Sequence, residues 1–321
     1  MHQPSIIQTA LRTIQLEAEA ISQLAKSINA DFERALQVIT QSKGRLVVSG
    51  IGKSAIIAQK VVATLNSTGT PAVFMHAADA THGDLGMVQQ EDIIIVISKS
   101  GDSPEIKVLV PLVKNFGNTL IAIVGNTNSF LAKHSDIVLN TTVEQEACPN
   151  NLAPTTSTTA QMVMGDALAV CLMEMKGFGT ADFARFHPGG ALGKRLFLRV
   201  TDLAAQNEKP AVKPGESIRG VIVEMTKKRL GVTAVTDQHH HILGIITDGD
   251  LRRMLEKQTG FDQLTASDIM SASPVTVAED MLAVDALEIM KGRDISQLVV
   301  VKGALYQGII HLHDIIKEGI M

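Results

Sequence analysis

Residues 98–105 combine the features of a loop that binds an anion. They read Ser-Lys-Ser-Gly-Asp-Ser-Pro-Glu and follow a short apolar run, Asp92–Ile97, which predicts a strand buried on both faces. Ser103 is then expected as the N-cap of a helix, with Pro104 in its first position. Because the free N–H groups and the dipole of a helix N-terminus favour negative charge, the loop is predicted to bind a phosphate group. The alternative is an ordinary capped turn without a ligand.

A second loop, Ser49–Ser54, reads Ser-Gly-Ile-Gly-Lys-Ser and ends like a Walker A motif. The full Walker A spacing is absent, because it would require a glycine where Val47 stands. Nucleotide hydrolysis is therefore not predicted. Lys53 is expected to bind a phosphate or an oxyanion through its point charge, the alternative being a solvated loop lysine.

Further polar side chains follow the predicted strands. His76 and His82 come after one strand, and Glu144 and Glu146 come after another. Ligands of an open parallel sheet bind beyond the carboxyl ends of its strands, so this convergence favours a site over scattered surface residues. Two histidines six residues apart on a loop only weakly indicate a metal. His187 precedes Pro-Gly-Gly and is either a site residue or a bystander at a helix stop.

Five short apolar runs alternate with stretches of helical length. This alternation predicts βαβ units, and hence an α/β fold with a parallel five-stranded sheet and helices on both faces. Residues 5–40 have the apolar spacing of one or two amphipathic helices, and another helix is predicted at 157–176. The predicted strands are Leu46–Val48, Ala72–Met75, Asp92–Ile97, Thr119–Val124 and Asp136–Leu139.

The chain changes character near Thr201, where an internal repeat begins. Gly244–Asp250 reads Gly-Ile-Ile-Thr-Asp-Gly-Asp, and Gly308–Asp314 reads Gly-Ile-Ile-His-Leu-His-Asp. A strand and an amphipathic helix precede each copy, and a helix follows it. Repeats of about 60 residues that cannot cover their own apolar faces are expected to pair with each other.

The composition excludes several classes of protein. The 321 residues suffice for two domains, and 45% of them are hydrophobic, enough for a large core. Aromatic residues make up only 3%, which argues against a base-stacking platform. The net charge of −4, without a basic stripe, makes nucleic acid and anionic membranes unexpected partners. Two cysteines fit a reducing compartment, and neither a signal peptide nor an apolar run of membrane-spanning length is recognised. A cytoplasmic location is expected.

These motifs together resemble the arabinose-5-phosphate isomerases, in which a sugar isomerase (SIS) domain precedes two CBS motifs. The resemblance extends over nearly the whole chain and implies a SIS-type, Rossmann-like α/β domain followed by an α+β CBS pair. It is carried by Ser67–Pro71, His82–Met87, Glu146–Pro149, Leu152–Thr159, Met164–Leu168, Phe186–Gly193 and Thr247–Arg253. The implied domains are N-terminal helices at 1–34, a SIS domain at 35–178, a linker carrying His187 at 179–200, and CBS motifs at 201–262 and 267–321.

The resemblance also implies site residues. The catalytic positions of the family match Lys53, Glu105, Glu146 and His187, and His187 is implied to act in the active site of a neighbouring subunit. The implied substrate contacts are Gly69, Thr70, His82, Ser98, Ser100, Ser103 and Ser54. The implied nucleotide-type site of the CBS pair comprises Thr247, Asp250 and Asp314.

The activity implied is aldose–ketose isomerisation between D-ribulose 5-phosphate and D-arabinose 5-phosphate, a step towards Kdo for lipopolysaccharide or capsule. No cofactor is required, and a zinc ion at His76 is implied only as an inhibitor. The implied partners are a sugar phosphate, a nucleotide-type ligand at the CBS pair, and other copies of the chain in a homo-oligomer, a tetramer.

The mechanism expected of such a site is proton transfer through an enediolate. Glu146 is expected to be the base at carbon, Lys53 to stabilise the enediolate and the phosphate, His187 to serve ring opening, and Glu105 to assist. A base works best with a pKa near the working pH, so partial burial is expected to raise the pKa of one glutamate.

Two departures from the family pattern, and two other functions, stay open at this stage. Lys99 is unusual within the phosphate loop and either adds positive charge there or points to solvent. His311 replaces the threonine expected in the second CBS copy. The competing functions are a non-catalytic sugar-phosphate sensor, which would carry a basic DNA-binding region, and a CBS-governed adenylate sensor, which would lack an intact catalytic set.

Overall fold

The computed structural model describes residues 5–257 and 263–320. The chain divides into two compact units, Met1–Phe183 and Ala184–Met321. Within the described residues, every helix is too short or too polar to cross a membrane.

The first unit is built on five parallel strands in the order β2-β1-β3-β4-β5. The strands are β1 (Leu46–Gly50), β2 (Ala72–His76), β3 (Ile93–Ser98), β4 (Leu120–Val124) and β5 (Ile137–Asn140). The helices are α1 (Ile6–Leu24), α2 (Ala30–Gln41), α3 (Lys53–Ser67), α4 (Pro104–Phe116), α5 (Phe130–His134), α6 (Thr156–Met175) and α7 (Thr180–Phe186), the last of which crosses into the second unit.

Each face of this sheet is covered by helices, which explains why its strands are apolar without interruption. Alternate residues such as Val48 and Ile95 pack in a core with α2, α3 and α6, whereas their neighbours Val47 and Ile94 pack in a second core with α4 and α5. Every residue of β3 is buried. The predicted α/β fold with a parallel five-stranded sheet is therefore confirmed.

The second unit contains two mixed sheets, in the orders β6-β7-β8-β9 and β10-β11-β12. Its strands are β6 (Ala211–Val212), β7 (Val232–Thr236), β8 (Ile242–Thr247), β9 (Ser271–Ala272), β10 (Thr276–Ala278), β11 (Gln297–Lys302) and β12 (Leu305–His311). Its helices are α8 (Ala191–Phe197), α9 (Val200–Ala204), α10 (Ile218–Lys228), α11 (Asp248–Lys257), α12 (Ala266–Ile269), α13 (Ala283–Arg293) and α14 (Leu312–Lys317).

The internal repeat is visible as two antiparallel pairs, β7–β8 and β11–β12, with register shifts at Val235/Thr236 and at Val300/Val301. Ala234 of the first pair and Val299 and Ile309 of the second share one apolar core. The two repeats thus bury their apolar faces against each other, as the sequence predicts. The predicted end of the first repeat, residue 262, lies outside the described residues.

The segment that the sequence describes as a linker is largely part of the second unit. Val200 packs in one core with Leu287 and Ile310, and the Nζ of Lys194 lies 2.8 Å from a carboxylate oxygen of Glu318. Residues 184–200 thus belong to the second unit and contact the rest of it through Val200 and Lys194.

Candidate active site

The site begins where β1 and β3 end side by side. With the order β2-β1-β3-β4-β5, the chain direction across the sheet reverses between these two strands, and ligands of such sheets bind in the crevice at that point. Lys53 is the first residue of α3, which follows β1, and Glu105 is the second residue of α4, which follows β3. The fold thus places an ammonium group and a carboxylate in the first turns of two helices at one sheet edge.

The loop between β3 and α4 is fixed by backbone contacts. The side-chain oxygen of Ser98 accepts a hydrogen bond of 3.0 Å from the N–H of Gly101. Gly101 has a φ of +70°, and a Cβ there would lie only 2.2 Å from Oγ of Ser129, so a glycine is required. Asp102 accepts a hydrogen bond from the N–H of Phe130 at 3.2 Å. These contacts fix the conformation of the loop that leads into the N-terminus of α4.

The hydroxyl of Ser103 is available in this loop. Ser103 is the N-cap residue of α4 and Pro104 stands at its start, as predicted, but the Ser103 side chain makes no capping hydrogen bond. Its Oγ is buried and has no partner within the described structure. The side chains of Ser49, Thr141 and Thr156, at or beside the same edge of the sheet, also have buried hydroxyls without partners. Buried polar groups are normally satisfied, so these hydroxyls indicate a place for a polar ligand.

Glu146 lies beyond β5 in a cage of donors. Its side chain is fully buried. One oxygen accepts from the N–H groups of Thr155 and Ser157 at 2.8 and 3.1 Å, and from the Thr155 hydroxyl at 3.2 Å. The other accepts from the Ser157 hydroxyl at 2.5 Å and lies 2.6 Å from Nζ of Lys99. The donors come from the N-terminus of α6 and from the loop after β3.

This environment lowers the pKa of Glu146 to about 2. Burial alone would raise the pKa, but the hydrogen bonds from Lys99, from Ser157 and from the Thr155 backbone stabilise the ionised form by more. From the sequence, burial is expected to raise the pKa of one glutamate, and Glu146 is not that glutamate. No sequence pattern reveals the five donors, which the fold brings to Glu146.

Lys99 is the residue whose orientation the sequence leaves open. It neither points freely to solvent nor contacts only the phosphate loop, because its ammonium group pairs with Glu146. Thr155 and Ser157 were missed as neighbours of Glu146. The signal for them is the run of hydroxyls in Leu152–Thr159, which the resemblance includes without assigning them a role.

Ser54 and Lys53 begin α3 with different partners. Ser54 donates a hydrogen bond of 3.1 Å to the side-chain oxygen of Gln161, which is buried on α6. Lys53 is exposed at the helix start, and no ion pair with another described residue engages its ammonium group. Ser54 therefore positions α3 against α6, while Lys53 is free to meet a ligand.

Gly69 and Thr70 lie at the other edge of the sheet. They precede β2, about 20 Å along α3 from Lys53. The ammonium group of Lys176 donates to the Gly69 carbonyl at 3.1 Å and to the Thr70 hydroxyl at 2.8 Å. The fold does not bring these two predicted substrate contacts to the carboxyl edge of their own sheet, and their role stays a prediction.

His76 and His82 do not form a metal centre by themselves. His76 ends β2, and its Nδ1 lies 3.7 Å from a carboxylate oxygen of Asp79. His82 is exposed in the short 3-10 helix Asp79–His82. In the described parts of the chain, no three His, Cys, Asp or Glu side chains gather as metal ligands do. Zinc takes three or four protein ligands, so the described residues around His76 are too few for a zinc site within one copy of the chain.

His187 is found in the second unit, in the turn between α7 and α8. Its N–H donates to the Ala184 carbonyl, and its carbonyl accepts from Gly190, which makes the turn that the Pro-Gly-Gly sequence predicts. Its place in the catalytic set stays a prediction.

The two CBS copies differ at the predicted nucleotide site. In the first, burial would raise the pKa of Asp250, but hydrogen bonds from the hydroxyl and the N–H of Thr247 outweigh it and the pKa is lowered. In the second, a carboxylate oxygen of Asp314 accepts a hydrogen bond of 2.8 Å from the N–H of His311, and the rings of His311 and His313 stack with centroids 4.7 Å apart.

A cavity of about 390 Å³ lies beside the second copy. Its lining includes Arg229, Asp248, Gln297, His311, His313 and Asp314.

Comparison with known proteins agrees with this architecture. The SIS domain family matches residues 38–171, and the CBS domain family matches residues 200–257 and 266–320. Arabinose 5-phosphate isomerase KdsD of Pseudomonas aeruginosa is 46% identical over 317 residues, which cover 98% of this chain and 97% of that protein. The Escherichia coli K12 protein of the same name is 44% identical over 315 residues, 98% of this chain and 96% of its own.

A solved structure of an E. coli CFT073 protein in complex with arabinose 5-phosphate has a TM-score of 0.56 and 39% identity, and it aligns over 59% of this chain and 100% of its own. The two KdsD proteins are more than 40% identical to this chain over nearly the full length of both sequences, which shows membership of one family and not only a shared fold. The chain therefore belongs to the arabinose 5-phosphate isomerase family, the SIS-domain isomerases that carry a pair of CBS motifs.

Proposed function

We propose that this chain interconverts D-ribulose 5-phosphate and D-arabinose 5-phosphate by proton transfer between C1 and C2 through an enediolate. The observation that carries the proposal is the carboxyl edge of the sheet. There, the loop after β3 has a buried hydroxyl at Ser103 without a partner among the described residues. Lys99 of the same loop forms an ion pair with the buried carboxylate of Glu146. Such an edge offers a phosphate site and a proton acceptor together, which is what isomerisation of a sugar phosphate requires.

In this proposal the positive and N–H groups bind negative charge, and a carboxylate transfers the proton. The α4 N-terminus with Ser98, Ser100 and Ser103 binds the phosphate, while Lys53 stabilises negative charge on the enediolate. Glu146 takes the proton from carbon. The five donors lower its pKa and so weaken it as a proton acceptor, and the loss of one donor on substrate binding would make it a better base.

His187 and Glu105 complete the proposed set. His187 would move the oxygen protons during ring opening, acting in a neighbouring subunit, and Glu105 would assist from the first turn of α4. The reaction needs no cofactor in this scheme. No step is assigned to zinc, because the described residues around His76 do not by themselves provide the ligands that zinc takes.

The assembly and location are also proposals. The N-terminal helix α1 exposes Ile6, Ile7, Leu11 and Ile14, each more than 60% accessible, and such an apolar face supports a homo-oligomer, a tetramer. We propose a cytoplasmic enzyme whose CBS pair takes a nucleotide-type ligand in the cavity beside Asp314. Asp250 is the weaker candidate for that ligand, because both of its oxygens accept hydrogen bonds, from Thr247 and Arg253. The hydrogen bonds that Asp314 accepts from His311 and Asn207 go to one oxygen, Oδ2.

The test of the activity is a coupled assay with D-ribulose 5-phosphate as substrate. Formation of D-arabinose 5-phosphate is expected, with loss of activity in Lys53→Ala. The sensor alternative predicts binding of the sugar phosphate, seen by calorimetry, without turnover. That result would overturn the proposal.

A further inference from the structure

The ion pair between Lys99 and Glu146 joins two parts of the site that have different tasks. The lysine belongs to the anion loop after β3, and the glutamate belongs to the segment after β5. The Nζ of Lys99 lies 2.6 Å from Oε1 of Glu146. The lysine side chain is 44% exposed, whereas the glutamate side chain is fully buried. The buried carboxylate is thus reached by a cation that enters from the solvent side.

Lys99 is also the charged member among the donors of Glu146. The other four donors are N–H and hydroxyl groups of Thr155 and Ser157, which all belong to the start of α6 and move with it. Lys99 alone among these donors comes from the anion loop. A change in that loop therefore reaches Glu146 through Lys99.

The backbone of Lys99 is held in place, so its side chain is the part able to move. Its carbonyl lies so close to Gly125 that a Cβ on Gly125 would approach it to 2.8 Å. The flanking Ser98 carbonyl accepts a hydrogen bond of 3.2 Å from the Gly125 N–H. A half-exposed lysine on a fixed backbone can swing its ammonium group over several ångströms while the loop keeps its shape.

A phosphate bound in the loop would compete for this ammonium group. Lys99 stands between Ser98 and Ser100, two of the hydroxyls proposed to hold the phosphate. A sugar phosphate carries up to two negative charges, whereas Glu146 carries one, so it attracts the ammonium group more strongly. It would also lie nearer to solvent, where the desolvation cost of the lysine charge is smaller.

We propose that Lys99 is a positioning residue that couples phosphate binding to the state of Glu146. With the loop empty, it holds the buried carboxylate; with phosphate in the loop, it pairs with the phosphate and releases the carboxylate for proton transfer. This inference rests on the proposed isomerase function. It gives the phosphate two roles, which are to bind the substrate in the loop and to release Glu146 from Lys99. A neutral sugar would bind to an enzyme whose base is still restrained.

The first test reads the coupling without any turnover. The protein is labelled with glutamate enriched in carbon-13 at the side-chain carboxyl, and the Glu146 resonance is assigned by its loss in Glu146→Gln. Addition of inorganic phosphate at pH 7 is expected to shift this resonance in the wild type and to leave it unmoved in Lys99→Met. A resonance that does not move in the wild type, although loop amides show that phosphate is bound, overturns the proposal. So does an equal shift in Lys99→Met.

The second test uses a neutral substrate. In Lys99→Met, kcat/KM for the unphosphorylated sugar D-arabinose is expected to rise about 10-fold, because Glu146 is no longer restrained, while KM for D-arabinose 5-phosphate rises. A lysine that only binds phosphate would leave the neutral-sugar rate unchanged, and a merely structural lysine would lower both rates. Either result contradicts the proposal.

Two variants control for general damage. Lys99→Arg keeps the charge and is expected to retain the phosphate-dependent shift of Glu146. Lys114→Met removes a lysine of similar exposure, 39%, that pairs with Asp136 away from the site, and it is expected to leave both measurements unchanged. If the resonance shift is found but the wild type does not isomerise the sugar phosphate, the coupling stands and only the proposed reaction is wrong.

Discussion

At the scale of single residues, Glu146 is the side chain whose chemistry depends most on its surroundings. A buried carboxylate without partners would be protonated far more readily than one in water. Here five donors reverse that effect and keep the group ionised. Glu146 is therefore expected to affect two measurable quantities, which are kcat and the pH dependence of the free energy of unfolding.

Replacing Glu146 by glutamine keeps the shape of the side chain and removes the proposed base. Turnover is expected to fall by roughly 10²–10⁴-fold with little change in KM, since a general base acts in the transition state. Steady-state kinetics on D-arabinose 5-phosphate measures both constants. Glu174→Gln, an exposed change on α6, is the control. A Glu146→Gln enzyme with near wild-type kcat would remove Glu146 from the mechanism.

The low pKa of Glu146 also predicts a pH dependence of stability. The folded pKa of about 2 lies below the ordinary 4.5, so between these values the unfolded chain binds more protons. The stabilisation is fully present above pH 4.5 and is lost as the pH falls towards 2, by up to about 3 kcal/mol. In urea unfolding, the stability difference between wild type and Glu146→Gln should shrink from about pH 6 to about pH 3.5. A constant difference would mean that the cage does not favour the ionised form.

At the scale of the elements, two serines at helix N-termini illustrate the difference between capping and binding. Ser129 accepts a hydrogen bond from the N–H of Ala132 and caps α5. Ser103 stands at the same position of α4 and caps nothing. The same residue type thus stabilises one helix and leaves a hydroxyl free at the other.

This contrast predicts opposite effects of two alanine substitutions. Ser129→Ala should destabilise the protein by about 1 kcal/mol, the usual value of a lost cap. Ser103→Ala should leave the free energy of unfolding nearly unchanged and raise KM for the sugar phosphate about 10-fold, the loss of one hydrogen bond to a charged group. Thermal unfolding and kinetics of both variants provide the comparison. A stability loss in Ser103→Ala with an unchanged KM would show that Ser103 serves α4 and not the ligand.

At the scale of the whole molecule, the proposed catalytic set is divided between the two units. Lys53, Glu105 and Glu146 belong to the first unit, and His187 belongs to the second, in a segment packed on the CBS core through Val200. Removal of the CBS pair would therefore also remove the support of the histidine.

Sharing of the site between subunits is testable by mixing two inactive variants. Lys53→Ala and His187→Ala, refolded together, should form mixed oligomers in which one site of each mixed pair has both residues intact. Random mixing then restores about one quarter of wild-type activity for a closed two-fold interface. Native mass spectrometry confirms that mixing has occurred. If mixed oligomers form and activity stays at the parental level, His187 acts within its own chain.

The sequence by itself determined the sheet, the loop and helix start after β3, and the repeat. These depend on local patterns: an uninterrupted apolar run predicts a strand covered on both faces, and Ser-Pro after a glycine predicts a helix start. β3 and α4 accordingly begin within one residue of their predicted positions. The places of Lys53 and Glu146 after strands were also predicted from the sequence, whereas the family resemblance assigned their catalytic roles and added Gly69 and Thr70.

Only the tertiary structure decided how these residues interact. The pKa of Glu146 depends on Lys99, 47 residues earlier in the chain, and on hydroxyls that reach it only when α6 packs against the sheet. The placement of Gly69 and Thr70 at the far edge depends on the length of α3. Hydrophobic patterns determine which residues are buried. The charge state of a buried group is determined by donors that the fold brings from distant parts of the sequence, and no local pattern records them.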